Sequence, residues 1–172
     1  MNPYLAGALG GLLATVPMTI AMEKLHRKLP REERYPLPPR EIMEDLVERS
    51  PIDRTVDDRS MVELTLASHF VYGAATGAFY GLFLHKRPRP ILRGAGFGVT
   101  VWAASYLGWI PAATILRPAT KHPLRRNLLM LAAHCVWGAS TAGVARMLAE
   151  PEVYQTAFEA QTRLEAKRDA LG

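Results

Sequence analysis

Two histidines stand where ionisable side chains are rarest. Of all the Asp, Glu, Lys, Arg and His residues, only His69 and His134 fall inside four long charge-free stretches of this 172-residue chain. A titratable group among apolar residues is costly to solvate, so it marks a function or a partner. Opposed imidazoles on neighbouring helices can ligate the iron of a b-type haem from both faces. Gly73 and Gly138, four residues further on, would leave room for a porphyrin. Two imidazoles alone do not close a metal site, and no carboxylate in the stretches adds a ligand. The preferred reading is simpler: neutral histidines hydrogen-bonded to a carbonyl or a threonine hydroxyl at a tight helix crossing. On that reading no cofactor is expected, and haem b is the alternative.

The surroundings of the two histidines repeat. His69-Phe70-Val71-Tyr72-Gly73-Ala74-Ala75-Thr76 aligns with His134-Cys135-Val136-Trp137-Gly138-Ala139-Ser140-Thr141. Tyr72 and Trp137 therefore join His69 and His134 as the candidate ligand or intramembrane polar site. A fainter echo aligns Val16-Pro17 with Ile110-Pro111, each followed by a Thr-Ile pair. A two-helix unit used twice in the same orientation explains both, with a pseudo-twofold axis along the membrane normal.

Other chemistry finds no support. Without a carboxylate in the stretches, a proton relay has no members. There is no His-Glu-x-x-His helix, P-loop or Rossmann glycine signature. Ser68 and His69 are sequence neighbours and face different ways on a helix, and nothing around Ser140 marks a nucleophile elbow. Cys135, the single cysteine, reads as a small buried apolar side chain. A non-enzymatic protein is expected, with a small oligomeric transporter or channel subunit as a further alternative.

The elements that carry these residues follow from segregation of charge. The chain is 49% hydrophobic and 22% charged, but the charges crowd between the stretches Met1–Met22, Leu64–Leu84, Gly94–Leu116 and Asn127–Ala145. About twenty apolar residues in a helix span a ~30 Å hydrocarbon core. A soluble helix would show a polar stripe instead. The expected fold is all-α: a polytopic membrane four-helix bundle over 1–150, with spans at about 3–22, 62–84, 94–116 and 125–146. The first span lacks the basic leader of a signal peptide and reads as a retained helix. Ser60-Met61-Val62-Glu63 reads as a capping box at the start of the second.

The polar segment 23–61 should hold a short helix from Pro39 to about Arg49, with Ile42, Met43, Leu46 and Val47 on one face. That face suits the membrane interface or the mouth of the bundle. Residues 151–172 read as a polar helical tail. In lipid, packing of small residues replaces the hydrophobic force between helices. Gly7 and Gly11, Gly73, Gly77 and Gly81, Gly94 and Gly98, and Gly138 supply such stripes, for tight packing within the chain or a homo-oligomer. Pro17 and Pro111 free the carbonyls of Leu13 and Leu107, with Thr15, Thr19, Thr114 or water as candidate donors.

The formal net charge is +5, but the basic residues flank apolar stretches, which points to lipid head groups and topology rather than nucleic acid. Thirteen of the 21 Lys and Arg lie in the loops after the first and third spans, which places both termini outside the cytoplasm. The expected partners are the lipid bilayer and a second copy or another membrane protein.

Gly7 to Thr19, Leu37-Pro38-Pro39-Arg40-Glu41-Ile42, the run His69 to Gly77, Ala104-Ser105-Tyr106-Leu107-Gly108-Trp109, and Arg126-Asn127-Leu128-Leu129 leading to His134 together resemble small bacterial inner-membrane proteins of the YagU-like kind. The resemblance spans most of the chain except the tail and follows an overall pattern rather than a catalytic motif. It implies a multi-pass protein of the bacterial cytoplasmic membrane and carries no established activity.

Overall fold

The computed structural model describes residues 1–51, 56–84 and 89–150, which are all-helical with no strand among them. The expected tail helix lies outside the described residues. Helix α1 spans Pro3–His26, with Asn2 capping its start by accepting from the Tyr4 amide at 2.9 Å. A short amphipathic helix, α2, spans Pro38–Glu48 and begins on a proline, whose missing N–H is no loss in a first turn. Helix α3 spans Asp58–Tyr80. Its cap is Asp57, which accepts from the Ser60 amide at 2.8 Å. The helix thus starts almost a turn before the expected box, because a carboxylate precedes Ser60 at the right spacing.

The third stretch departs most from expectation. Helix α4 covers Pro90–Ala103, a π-helical turn follows over Ala104–Trp109, and α5 covers only Ile110–Ala112. Gly108 leaves helical geometry at φ −112° and ψ −107°. Pro111 cannot donate to Leu107, so the hydrogen-bond ladder is already broken at this point and the widened turn forms beside the break. The helix ends at Ala112 rather than at Leu116, and Thr114 then takes a left-handed turn with φ 58°. Pro17, in contrast, sits inside a continuous α1. Helix α6, Leu124–Ala149, starts after Pro123.

The four long helices pack in the spatial order α3, α1, α6, α4. Helix α1 lies against both α3 and α6, α6 lies against α4, and α3 meets α4 at few points. Close approach is possible because the crossings are built of glycine. A side chain on Gly77 would put its Cβ 2.7 Å from Gly11 Cα, and one on Gly138 would lie 2.8 Å from the Gly98 nitrogen. Gly7 faces Gly77, Gly81 faces Pro3, and Gly94 faces Gly138. Gly10, which sequence reasoning did not single out, seats α1 against Thr141 and Ala145 of α6.

Beside a core of Met18, Met22, Tyr106, Leu129, Met130 and Trp137, small residues fill the helix crossings while several large apolar side chains face outward. Helix α1 buries Ala6, Gly7, Gly10, Gly11 and Ala14 and turns Leu5, Leu13, Val16 and Ile20 outward. By length and hydropathy α1 and α6 are each sufficient to cross a membrane. Helix α3 carries Asp58, Arg59 and Glu63 in its first turns, and the third stretch is divided by the π-turn.

Candidate functional site

Because α3 and α4 stand apart, a cavity of about 210 Å³ remains between them. Thr15 and Met18 of α1 and Met130, His134 and Trp137 of α6 form its floor. His69 and Tyr72 of α3 face Val101, Ser105 and Tyr106 across it. Helix α2 is the roof: Pro39, Ile42, Met43 and Leu46 line the cavity from above. The apolar face of this helix thus covers the cavity. Val47 is buried but does not line the cavity.

All four residues of the expected polar site line this one cavity. His134 is 6% exposed, and its Nδ1 lies 2.7 Å from the carbonyl oxygen of Met130. A carbonyl only accepts, so Nδ1 carries the hydrogen and Nε2 is left as an acceptor. The imidazole meets the Tyr106 ring edge to face at 6.1 Å. Trp137 donates its Nε1 hydrogen to Gly11 O at 3.0 Å. Tyr72 and Ser105 share a hydrogen bond of 2.8 Å across the gap between α3 and the π-turn. Beside it the rings of Tyr72 and Trp109 lie 6.1 Å apart. His134 thus bonds back to a carbonyl of its own helix rather than across a crossing, and His69 makes no hydrogen bond among the described residues.

The threonines near the prolines bond elsewhere than expected. Thr15 donates to Gly11 O and Thr19 to Thr15 O, each four residues back. Thr114 O accepts from Arg49 at 2.8 Å, tying the end of α2 to the left-handed turn after α5.

A second polar cluster seals the same end of the bundle. Arg126, 4% exposed at the start of α6, donates to the carbonyls of Glu33, Tyr35 and Pro36 at 3.2, 3.0 and 2.8 Å. Its guanidinium lies 3.5 Å over the Tyr35 ring and 3.7 Å from the Glu41 carboxylate. Tyr35 also shares a hydrogen bond with His122 Nδ1 at 3.1 Å. Burial raises the Glu41 carboxyl above the ordinary 4.5, with Arg126 opposing that shift. Burial likewise raises the Tyr35 phenol, again against Arg126.

Sequence reasoning missed Ser105, Tyr106 and Trp109 as cavity residues and Arg126 as the anchor of the roof. A signal for the first three existed in Gly108 and Pro111, which together weaken one turn of helix. Among the described residues no three His, Cys, Asp or Glu side chains cluster to hold a metal ion. No family model, curated protein or solved structure matches the chain.

Proposed function

We propose that the chain is a multi-pass integral protein of a cytoplasmic membrane, a non-enzymatic four-helix bundle that holds a ligand or partner at its central seam. The outward-facing apolar surface carries this reading. Leu5 and Leu13 on α1, Val71 and Phe79 on α3, and Leu128 on α6 are about half exposed or more. Water would penalise such a surface, whereas lipid tails solvate it without cost. In a membrane fractionation, the chain should pellet with membranes, resist an alkaline carbonate wash and dissolve only in detergent. A folded chain in the detergent-free supernatant would refute the reading.

Two hydrogen bonds support the two-helix repeat. Trp137 of α6 reaches Gly11 of α1, and Tyr72 of α3 reaches Ser105 beside α4, so equivalent aromatics each cross to the other pair. Gly11 precedes Pro17 by the same interval that Ser105 precedes Pro111. Thr76 and Thr141 bond back to Tyr72 and Trp137 in the same way. The symmetry is incomplete: α1 packs on α6 while α3 stands off α4, and Gly138 meets Gly94 and Gly98 rather than the vicinity of Ser105. The YagU-like kinship and the outward placement of both termini belong to this proposal.

The glycine stripes are used within the chain, which removes the motif that favoured a homo-oligomer. The haem alternative meets a limit of size. Pockets for drug-sized molecules run to roughly 300–1,000 Å³, so about 210 Å³ leaves a porphyrin without room unless α2 or α3 moves away. A transporter or channel subunit would need further copies of the chain to build a pathway.

A further inference from the structure

We propose that the cavity between α3 and α4 binds an uncharged single-ring phenol whose hydroxyl donates a hydrogen bond to Nε2 of His134. The inference rests on the membrane-bundle reading and adds the class of ligand.

The acceptor comes first. With Nδ1 engaged by Met130, Nε2 of this buried ring has no hydrogen-bond partner among the described residues. Nε2 is not among the fully buried unpartnered atoms of the described residues, so the ring of this cavity-lining histidine leaves it accessible, and an occupant that donates a hydrogen bond satisfies it. The donor must also be neutral. No Asp or Glu lines the cavity, and an ammonium group would lie there without a counter-charge. A phenol donates and carries no charge at neutral pH.

The walls select the body of the ligand. Tyr106, already edge-on to His134, together with Tyr72, Trp109 and Trp137, presents aromatic faces and edges. Such surroundings favour another flat ring in offset or edge-to-face contact. Volume sets the size. An apolar cavity of roughly 150 Å³ holds a benzene molecule, so about 210 Å³ suits one ring with a short substituent. A longer tail would leave through the seam between α3 and α4, where Tyr72 and Trp109 are 37% and 45% exposed. Small phenols and the head groups of membrane quinols share this chemistry.

The test uses the full chain in detergent, with 4-fluorophenol as probe and fluorine NMR as readout, against protein-free micelles. The wild type should bind 4-fluorophenol about tenfold more tightly than 4-fluoroanisole, which has the same ring and no donor. His134→Ala should bring the two ligands to equal affinity. The wild-type comparison stands even if that variant does not fold. Competition by 4-propylphenol and by a decyl-tailed hydroquinone separates the two sources: stronger displacement by the tailed compound assigns the quinol head group, and equal or weaker displacement assigns the free phenol. Equal binding of phenol and anisole by the wild type, or no binding beyond the micelle control, overturns the proposal. A chain that resists carbonate extraction and shows no preference for the phenol leaves the membrane reading standing.

Discussion

Trp137 and Gly11 join the two halves of the molecule: the indole N–H donates to the glycine carbonyl at 3.0 Å across the buried contact of α1 with α6. The same oxygen accepts from the Thr15 hydroxyl at 2.9 Å. The missing side chain at Gly11 lets α3 approach at Gly73 and Gly77 while its carbonyl accepts from α6, so one residue serves both the α1–α3 crossing and the α1–α6 bond.

Trp137→Phe keeps a ring and removes the donor. Since Thr15 still satisfies the carbonyl, the expected loss is modest, about 0.5–1.5 kcal/mol. Trp137→Ala also empties the floor of the cavity and should cost about 3–5 kcal/mol. Thermal unfolding in mild detergent, followed by circular dichroism, measures both.

Gly11→Ala forces a methyl group into the backbone of α3 and should destabilise the bundle by about 1–3 kcal/mol through overpacking. Gly96 faces open space, where a methyl group would meet nothing within 4 Å. Gly96→Ala should therefore gain about 0.5–1 kcal/mol from helix propensity. Opposite signs for the same substitution, read in the same unfolding assay, are the expected result.

Arg126→Ala removes three carbonyl bonds and strands Glu41 in a partly buried place. A loss of about 3–5 kcal/mol is expected, with faster tryptic cleavage between residues 27 and 34 as the roof comes loose. Arg126→Lys should lie between, since an ammonium group cannot reproduce the planar fork that reaches Glu33, Tyr35 and Pro36.

Glu41 gives the roof a pH dependence. Its folded pKa is raised above 4.5, so the folded state binds the proton more tightly than the unfolded chain. Its stabilising contribution is complete below the unfolded value and is lost as pH rises through the folded one. Melting temperatures of the wild type should fall over that interval, and Glu41→Gln should flatten the slope there.

The parts of the structure that charge pattern controls were legible in the residues. Leu64–Leu84 locates α3 to within about two turns, Gly73 and Gly77 mark its contact face, and the matched runs around His69 and His134 bring both imidazoles to one place. Other features depend on choices the pattern does not encode. The turn at Ala104–Trp109 reflects competition between α- and π-type bonding beside Pro111, and apolar residues there suit either. Arg126 at a helix start reads as a topology signal, and only the carbonyls of the distant segment 33–36 make it a buried anchor. Ile42, Met43 and Leu46 define a face on α2 without stating what that face meets.

Against the other long helices, α3 is fastened along one edge only. Gly73 and Gly77 hold it to α1 and α2 packs on it, while towards α4 it offers little more than the Tyr72–Ser105 contact. An element attached in this way swings about its seam as a book cover does about its spine. Among the four long helices, α3 and α4 can part without separating a glycine crossing, whereas α1 with α3, α1 with α6 and α4 with α6 cannot.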